Sequence, residues 1–452
     1  MLSPIFFLCG SIGTMTLKKL KNKRILILGF AREGRDTLSF LRAHFPKKVI
    51  GIADQKSSLF YGRRKQVRWH LGKNYLKALK QYDVIIKSPG IPPKVIAPFI
   101  SKNQIVTSQT EIFFENCPGT IIGVTGTKGK STTALLIHAV LKQGGVRVHL
   151  IGNIEVPVLQ FLNTATPEDV FVYELSSFQL TNLKRSPHIA VLLNIYPEHL
   201  DYYGGSFKEY TKAKANITKH QTAEDFLIYN SKDPEVCKIA KNSKAQKLPF
   251  GGKGSLASKK EAKLRQTTFL ASPEPAVIIG KLFGISQRKI EQAVKNFKPL
   301  PHRLQRVGEF KGITFYNDSL ATIPEATIAA LDALGSRVHT LVAGGYDRGI
   351  SFEKLGKKIE KSSLKVLVLF PTTGKKILES MNRPASSAGG PLLHFFAKDM
   401  KEAVKFCYAH TPKGKICLLS PASSSFNMFK DYKDRGEQFI KWVKALGHGK
   451  KA

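Results

Sequence analysis

An α/β chain of three successive domains, each built on its own sheet, is what three observations in the sequence predict. A short apolar run, Thr120 to Val124, leads through glycines at 123, 126 and 129 into helical apolar spacing from Ala134 to Lys142. Earlier, Arg24-Ile25-Leu26-Ile27-Leu28-Gly29 and a helical stretch precede a second run, Val49 to Ala53, that ends at Asp54. From near Pro299 onward, Ile313–Tyr316, Val338–Ala343, Lys365–Phe370 and Ile416–Leu419 read as strands with helices between them. Strands that alternate with helices imply parallel sheets covered on both faces. The expected divisions are an N-terminal extension over 1–22 and domains over 23–113, 114–299 and 300–452.

The central stretch carries the strongest chemistry. Gly126-Thr127-Lys128-Gly129-Lys130-Ser131-Thr132-Thr133 lies between a buried strand and a helix start. Free backbone N–H groups and the positive end of the helix dipole then face one place, a cradle for phosphate. Lys130 is expected at the β- and γ-phosphates of ATP, and the Ser131 or Thr132 hydroxyl at Mg²⁺. The spacing departs from the strict P-loop pattern, because Val124 stands five positions before Gly129. The domain is expected to be a P-loop-type parallel-sheet ATPase domain, with further strands at Val170–Leu175 and Ile189–Ile195.

The first domain reads as Rossmann-like, with Gly29 and Gly34 in its first turn and an acidic residue, Asp54, closing its second strand. Its G-x-x-x-x-G spacing also suits a Rossmann-like core that binds nothing. Asp83–Ile86 gives another strand, and Lys87-Ser88-Pro89-Gly90-Ile91-Pro92 a rigid turn at its carboxyl end, where ligands sit in such sheets. The last section is a second Rossmann-like domain. Residues 251–267, rich in Gly, Ser and Lys, read as a surface loop.

Composition narrows the class. A hydrophobic fraction of 42% over 452 residues suits a soluble globular protein. The five cysteines are odd in number, widely spaced and free of C-x-x-C, which argues against a disulfide framework or zinc site and for a reducing cytoplasm. The apolar patch Pro4–Cys9 is too short to span a bilayer and lacks a basic flank before it, so Met15 is an equally plausible start. The net charge of +38 admits nucleic-acid binding, but the lysines run through the whole chain, and polyanionic nucleotide substrates also favour a positive field. Nucleic acid is not the expected partner, and a monomer is expected.

These motifs resemble the Mur ligase family of bacterial cell-wall synthesis from about Arg24 to Trp442. Ser-Pro-Gly-Ile-Pro at 88–92, Gly-Thr-Lys-Gly-Lys-Ser-Thr at 126–132 and Gly-Asn-Ile at 152–154 carry the likeness. Glu174-Leu175-Ser176-Ser177-Phe178-Gln179-Leu180 and Leu419-Ser420-Pro421-Ala422-Ser423-Ser424-Ser425-Phe426 are similar to its D-glutamate-adding branch. The resemblance implies ATP-driven amide formation on UDP-N-acetylmuramoyl-L-alanine. The substrate carboxylate attacks the γ-phosphoryl, and the amine of D-glutamate displaces phosphate from the resulting acyl phosphate. Positioning and charge neutralisation then dominate catalysis. The three domains would bind, in order, the UDP end, ATP, and the amino acid together with ATP.

The resemblance also assigns residues. Glu174 and His199 (within Asn194 to Asp201) would hold Mg²⁺ with Ser131. Lys214 matches a carbamylated lysine, with Lys212 as the rival and a solvated basic helix face as the plain alternative. Arg303, in the His302-Arg303 pair, and Asp318 would contact ATP. Arg348, in Gly344-Gly345-Tyr346-Asp347-Arg348, would clamp the D-glutamate carboxylate, with Ser425 and Tyr432 beside it. Asn153 and Ser176 fall near the muramoyl-alanine and the metal, and Arg32, Asp54, Ser88 and Gly90 at the uridine diphosphate. The chain departs from the family at Leu320 and Ile323, apolar where lysine and asparagine are usual. It departs again at 268–272, where an asparagine segment is not recognisable, and at Gln305, where an acid is common. Competing expectations are another amide ligase of the family (for L-alanine, a diamino acid or folate) and a basic P-loop nucleic-acid-binding protein.

Overall fold

The structure is a computed structural model that describes residues 17–57, 66–152, 158–252, 272–297, 301–381, 392–426 and 428–449. It divides into two compact units, Met1–Phe297 and Lys298–Ala452. The first unit holds two sheets. In one, β1 (Ile25–Leu28), β2 (Ile50–Asp54), β3 (Val67–Leu71), β4 (Val84–Lys87) and β5 (Ile105–Thr107) lie in the order 3-2-1-4-5, all parallel. The order reverses between β1 and β4, so their carboxyl ends form the crevice in which such sheets take ligands.

The second sheet contains β6 (Thr120–Thr125), β7 (Val148–Gly152), β8 (Val170–Glu174), β9 (Ile189–Leu192), β10 (Phe226–Asn230) and β11 (Gln246–Phe250). Its order is 11-10-9-6-8-7, again parallel throughout. The central strands β6, β8 and β9 are apolar and almost wholly buried, as a doubly covered parallel sheet requires. One apolar core serves both sheets of this unit. The helix Gln109–Asn116 fastens them, with Phe113 set edge-on against Phe171 and Tyr173 of β8.

The second unit has β12 (Gln305–Phe310), β13 (Ile313–Asn317), β14 (Val338–Gly345), β15 (Val366–Thr372), β16 (Leu393–Phe396) and β17 (Ile416–Leu419), in the order 12-13-17-14-15-16. All pairs are parallel except the hairpin β12–β13. The α/β class with parallel sheets is therefore as the sequence predicts, with one antiparallel edge added. No described helix is long and apolar enough to cross a membrane.

Candidate active site

The phosphate loop follows β6, and its shape is dictated by close packing. A Cβ on Gly126 would stand 2.8 Å from Leu193 Cβ, and Gly129 turns through φ +85° to start the helix Lys130–Gly144. That helix has no side-chain cap at its start, where backbone N–H groups and the positive end of the dipole favour an anion. Thr133 Oγ1 is enclosed there with no hydrogen-bond partner among the described residues. Uncapped donors behind a glycine turn fit a polyphosphate.

The loop is held from the neighbouring strand end. Lys128 N donates to Asn194 Oδ1, and Asn194 Nδ2 donates back to Lys128 O, a two-way amide lock. Thr127 N donates to Asn194 O, while Thr127 Oγ1 accepts from Tyr196 N and lies 2.9 Å from Tyr210 Oη. Lys128 Nζ pairs with Glu198 Oε1 at 2.5 Å. Lys130 Nζ donates to Gly126 O and Thr127 O, so its ammonium sits inside the loop. Ser131, Thr132 and Thr133 are buried in the first helical turn.

Three further candidates converge on this loop. Glu174, 1% exposed, ends β8 directly beside Gly152 of β7, where a Cβ would meet Glu174 O at 2.4 Å. Lys214 is also 1% exposed and donates to Gly126 O at 2.8 Å. Burial first, and the Lys130 cation second, bring its amine well below the usual lysine range, against the opposing carboxylates of Glu198 and Glu174. Lys212, by contrast, is exposed and lies 3.8 Å from Glu209. His199 takes φ +54°, packs against Phe178 and is kept towards its neutral form by burial, the neighbouring Glu198 notwithstanding.

Among the described residues, no three His, Cys, Asp or Glu side chains gather closely enough to hold a metal alone. Glu174, His199 and the Ser131 hydroxyl nevertheless offer the donor types that suit Mg²⁺ when waters and phosphate oxygens complete the shell. Lys214 could join them only as an anion, such as a carbamate.

At the crevice of the first sheet, Ser88 Oγ donates to Gly29 O, and Gly29 (φ +90°) has no room for a Cβ beside that hydroxyl. Gly90 and Arg32 are exposed at the same edge. Asp54 differs from a free ligand: its carboxylate accepts from Phe30 N at 2.7 Å and Lys56 N at 2.9 Å and so holds the first turn. Ser176 is the N-cap of the helix Ser177–Leu180, in a capping box with Gln179. Asn153 lies outside the described residues, as do positions 268–271.

In the second unit the candidates form two groups. Around Arg303, His302 (φ +63°) faces Asn317 Nδ2 at 2.9 Å, and Gln305 Oε1 accepts from His302 N. Asp318 turns inward, accepting from Leu304 N and Ser420 Oγ, and is 5% exposed, so it braces the Arg303 turn from beneath. Ile323 occupies the N-cap of the helix Pro324–Leu334 with no side-chain cap, where an asparagine would supply about 1 kcal/mol. Elsewhere, Tyr346 N donates to Ser424 O, which brings the exposed Arg348 turn and buried Ser425 onto one pair of loops. Tyr432 begins the last helix, and its carbonyl accepts from Ser319 Oγ.

Two family descriptions match: the Mur ligase middle domain over residues 124–282 and the Mur ligase glutamate ligase domain over 302–423. A UDP-N-acetylmuramoylalanine–D-glutamate ligase of Acetivibrio thermocellus is 34% identical, covering 95% of this chain and 98% of its own. One of Geobacillus kaustophilus is 34% identical over 94% of this chain and 98% of its own. The chain belongs to the Mur ligase family. In fold this Mur ligase also matches MurF of Acinetobacter baumannii, with a TM-score of 0.54 at 16% identity over 95% of this chain and 93% of that one. A MurF of Thermotoga maritima, solved with ADP, gives 0.53 at 17% identity over 96% and 97%.

Sequence reasoning did not single out several residues that shape this Mur ligase's site. Asn194, Tyr196, Tyr210 and the fully buried Arg435 were visible only as members of family motifs, Arg435 in an Arg435-Gly436 pair, with no role legible for their side chains. Asp318 yields a pH test. Burial raises its pKa from 3.8 to about 7, so the folded chain keeps a proton that the unfolded chain releases near pH 4. This contribution to stability is therefore fullest below about pH 4 and declines as pH rises to about 7. Asp318→Asn cannot ionise, and its stability should fall less between pH 5 and 8 than that of the parent, by about 3 kcal/mol. Parallel melting curves across that range would refute the burial effect.

Proposed function

We propose that this chain joins D-glutamate to UDP-N-acetylmuramoyl-L-alanine, using ATP, as its relatives of similar length are named for doing. What carries the reading of the reaction is the uncapped helix start behind the Gly126–Gly129 loop, with the buried Lys214 amine and Glu174 beside it. An oxygen of the L-alanyl carboxylate forms a bond to the γ-phosphorus as ADP leaves. The amine of D-glutamate then bonds to the acyl carbon, inorganic phosphate departs, and the ammonium proton is released to solvent. Lys130 and the helix N–H groups would hold the phosphoryl charge in place, and Lys128, paired with Glu198, would keep the loop closed. Glu174, His199, Ser131 and a carbamylated Lys214 would hold Mg²⁺, which when bound neutralises phosphate charge. Asn194, through its amide lock, would orient the loop. Arg303 keeps a nucleotide role by the family motif, and Arg32, Ser88 and Gly90 a role at the uridine diphosphate.

Phosphate release with ATP, Mg²⁺ and the UDP substrate, offering amino acids singly, tests this reading. Release with D-glutamate alone supports it; release with another amino acid moves the chain to another branch, and none with any amino acid overturns it. Arg348→Ala should raise the D-glutamate KM by about 10- to 100-fold, the loss of a charge-assisted pair, and leave the ATP KM nearly unchanged. Equal shifts in both constants would remove Arg348 from the amino-acid site.

A further inference from the structure

The Ser88–Ile91 turn is braced from two sides by side chains to which no part of the reaction has yet been given. Lys87, at the end of β4, is 7% exposed and donates through Nζ to Ser88 O at 3.1 Å and Ile91 O at 2.8 Å. Tyr202, 8% exposed, reaches the same turn from the second sheet's side. Its hydroxyl donates to Pro89 O at 2.9 Å and lies 3.3 Å from Ile91 O. The turn's own N–H groups are partly committed, Ser88 N to Leu28 O and Ile91 N to Ser88 O, and Pro89 has none. Gly90 is left exposed, with open space where a Cβ would be.

Tyr202 is not an isolated prop. Its N–H donates to His199 O, and its ring lies 4.4 Å from Phe178, which also packs against the His199 imidazole at 5.1 Å. The segment that carries His199 and the turn that closes the crevice of the first sheet therefore share one hydroxyl. Lys87 lies near a second polar group, Glu33, whose Oε1 accepts from Gln179 of the 174–180 segment.

We propose that Tyr202 and Lys87 are positioning residues for the nucleotide-sugar substrate: by occupying the carbonyls of Ser88, Pro89 and Ile91 they fix the turn so that the Gly90 N–H faces the crevice, and Tyr202 ties that turn to the His199 segment. This deepens the proposed function and rests on it for the identity of the ligand. A turn whose carbonyls are satisfied internally presents donors rather than acceptors outward, which is what a diphosphate or a uracil carbonyl requires. The link also makes order in the uridine end felt at the His199 segment through one contiguous contact, without movement of either sheet.

Tyr202→Phe tests it, because the ring and its packing on Phe178 and Tyr203 stay while the hydroxyl goes. The dissociation constant for UDP, measured by calorimetry on the whole chain, should rise about fivefold to tenfold, as should the KM for the UDP substrate, the effect of one buried hydrogen bond. The KM values for ATP and D-glutamate should stay within about twofold. Hydrogen exchange in the peptide spanning 88–92 should quicken in the same variant. Lys87→Met should act in the same direction on both readouts. Unchanged exchange in the turn in Tyr202→Phe overturns the inference, whatever the ligand. So does an unchanged UDP affinity, or an equal rise in all three KM values. Faster exchange in the turn of a protein whose parent binds no UDP would uphold the brace and count instead against the proposed function.

Discussion

Lys130→Ala is expected to lower turnover by about a hundredfold to a thousandfold, with far less effect on the folding of the chain. The ammonium donates to carbonyls of its own loop, Gly126 O and Thr127 O, while the loop's shape is set by Asn194, Thr127 and Tyr196. Those clamps survive the substitution. What is lost is a preorganised cation where charge builds on the transferred phosphoryl group, and a donor of that kind is worth about 10²–10³ in kcat. The backbone N–H groups of the helix start remain, so ATP binding should weaken much less than turnover.

A neighbouring lysine sharpens the test. Lys130 is the second cause, after burial, of the lowered pKa of Lys214. Its removal favours the Lys214 ammonium over the neutral amine, the only form that can become a carbamate. The variant thus loses the cation at the phosphoryl group and disfavours the carbamate proposed for Lys214, so the two losses add. A single-turnover rate close to the parent's would show that another group carries the phosphoryl charge, Lys128 being the nearest alternative on the loop. Lys130→Arg, which restores charge on a bulkier fork, should recover only part of the rate.

How much of this was legible in the chain depends on how local the cause is. The central strands β1, β6, β8, β9, β14 and β17 were visible because each is an apolar run buried on both faces. β12 and β16 were not, since Gln305–Phe310 and Leu393–Phe396 lie at sheet edges with half-open faces, and β7, β10 and β11 mix polar with apolar positions. The helix after the phosphate loop begins at Lys130, as the Gly-Lys-Ser-Thr run at a helix start implies, although its apolar stripe becomes readable only from Ala134. Within the site, loop glycines and their lysine announce themselves by spacing. The residues that hold them come from far along the chain: Asn194 and Tyr210 reach the loop over long separations. Asp54 shows the converse, a residue marked by position as a ligand whose carboxylate the fold uses to fix Phe30 N. Leu320 and Ile323, the apolar departures, sit half-buried beside the Arg303 turn, where Leu320 N still donates to His302 O.

Arg435→Met is expected to destabilise the second unit by about 3 kcal/mol and to impair amino-acid use with it. Arg435 is fully buried in the last helix, and among the described residues no carboxylate stands within ion-pair distance. Its Nε donates to Ser319 Oγ, Nη2 to Ser319 O and Nη1 to Ser423 O. Two effects compete in the variant. Methionine removes a desolvated charge, whose strain is visible in a pKa that burial brings down to about 9. Against that, two buried carbonyls lose their donors at about 1–3 kcal/mol each, and a void opens below Gly345, where even a Cβ would stand 3.3 Å from Nη1. The orphaned acceptors outweigh the relief, because Arg435 holds Ser319 and Ser423 at once, adding to the bonds from Asp318 N to Leu419 O and from Ser420 Oγ to Asp318 that join the same segments. Ser319 follows Asp318, and Ser423 precedes the Ser424 carbonyl on which Tyr346 and the Arg348 turn depend, so loosening either should raise the D-glutamate KM. Arg435→Lys keeps the charge but cannot span both segments, and should fall between the two. Urea unfolding together with the D-glutamate KM would decide it: a variant with parental stability and parental KM would mean that Ser319 and Ser423 are held by their other contacts, without Arg435.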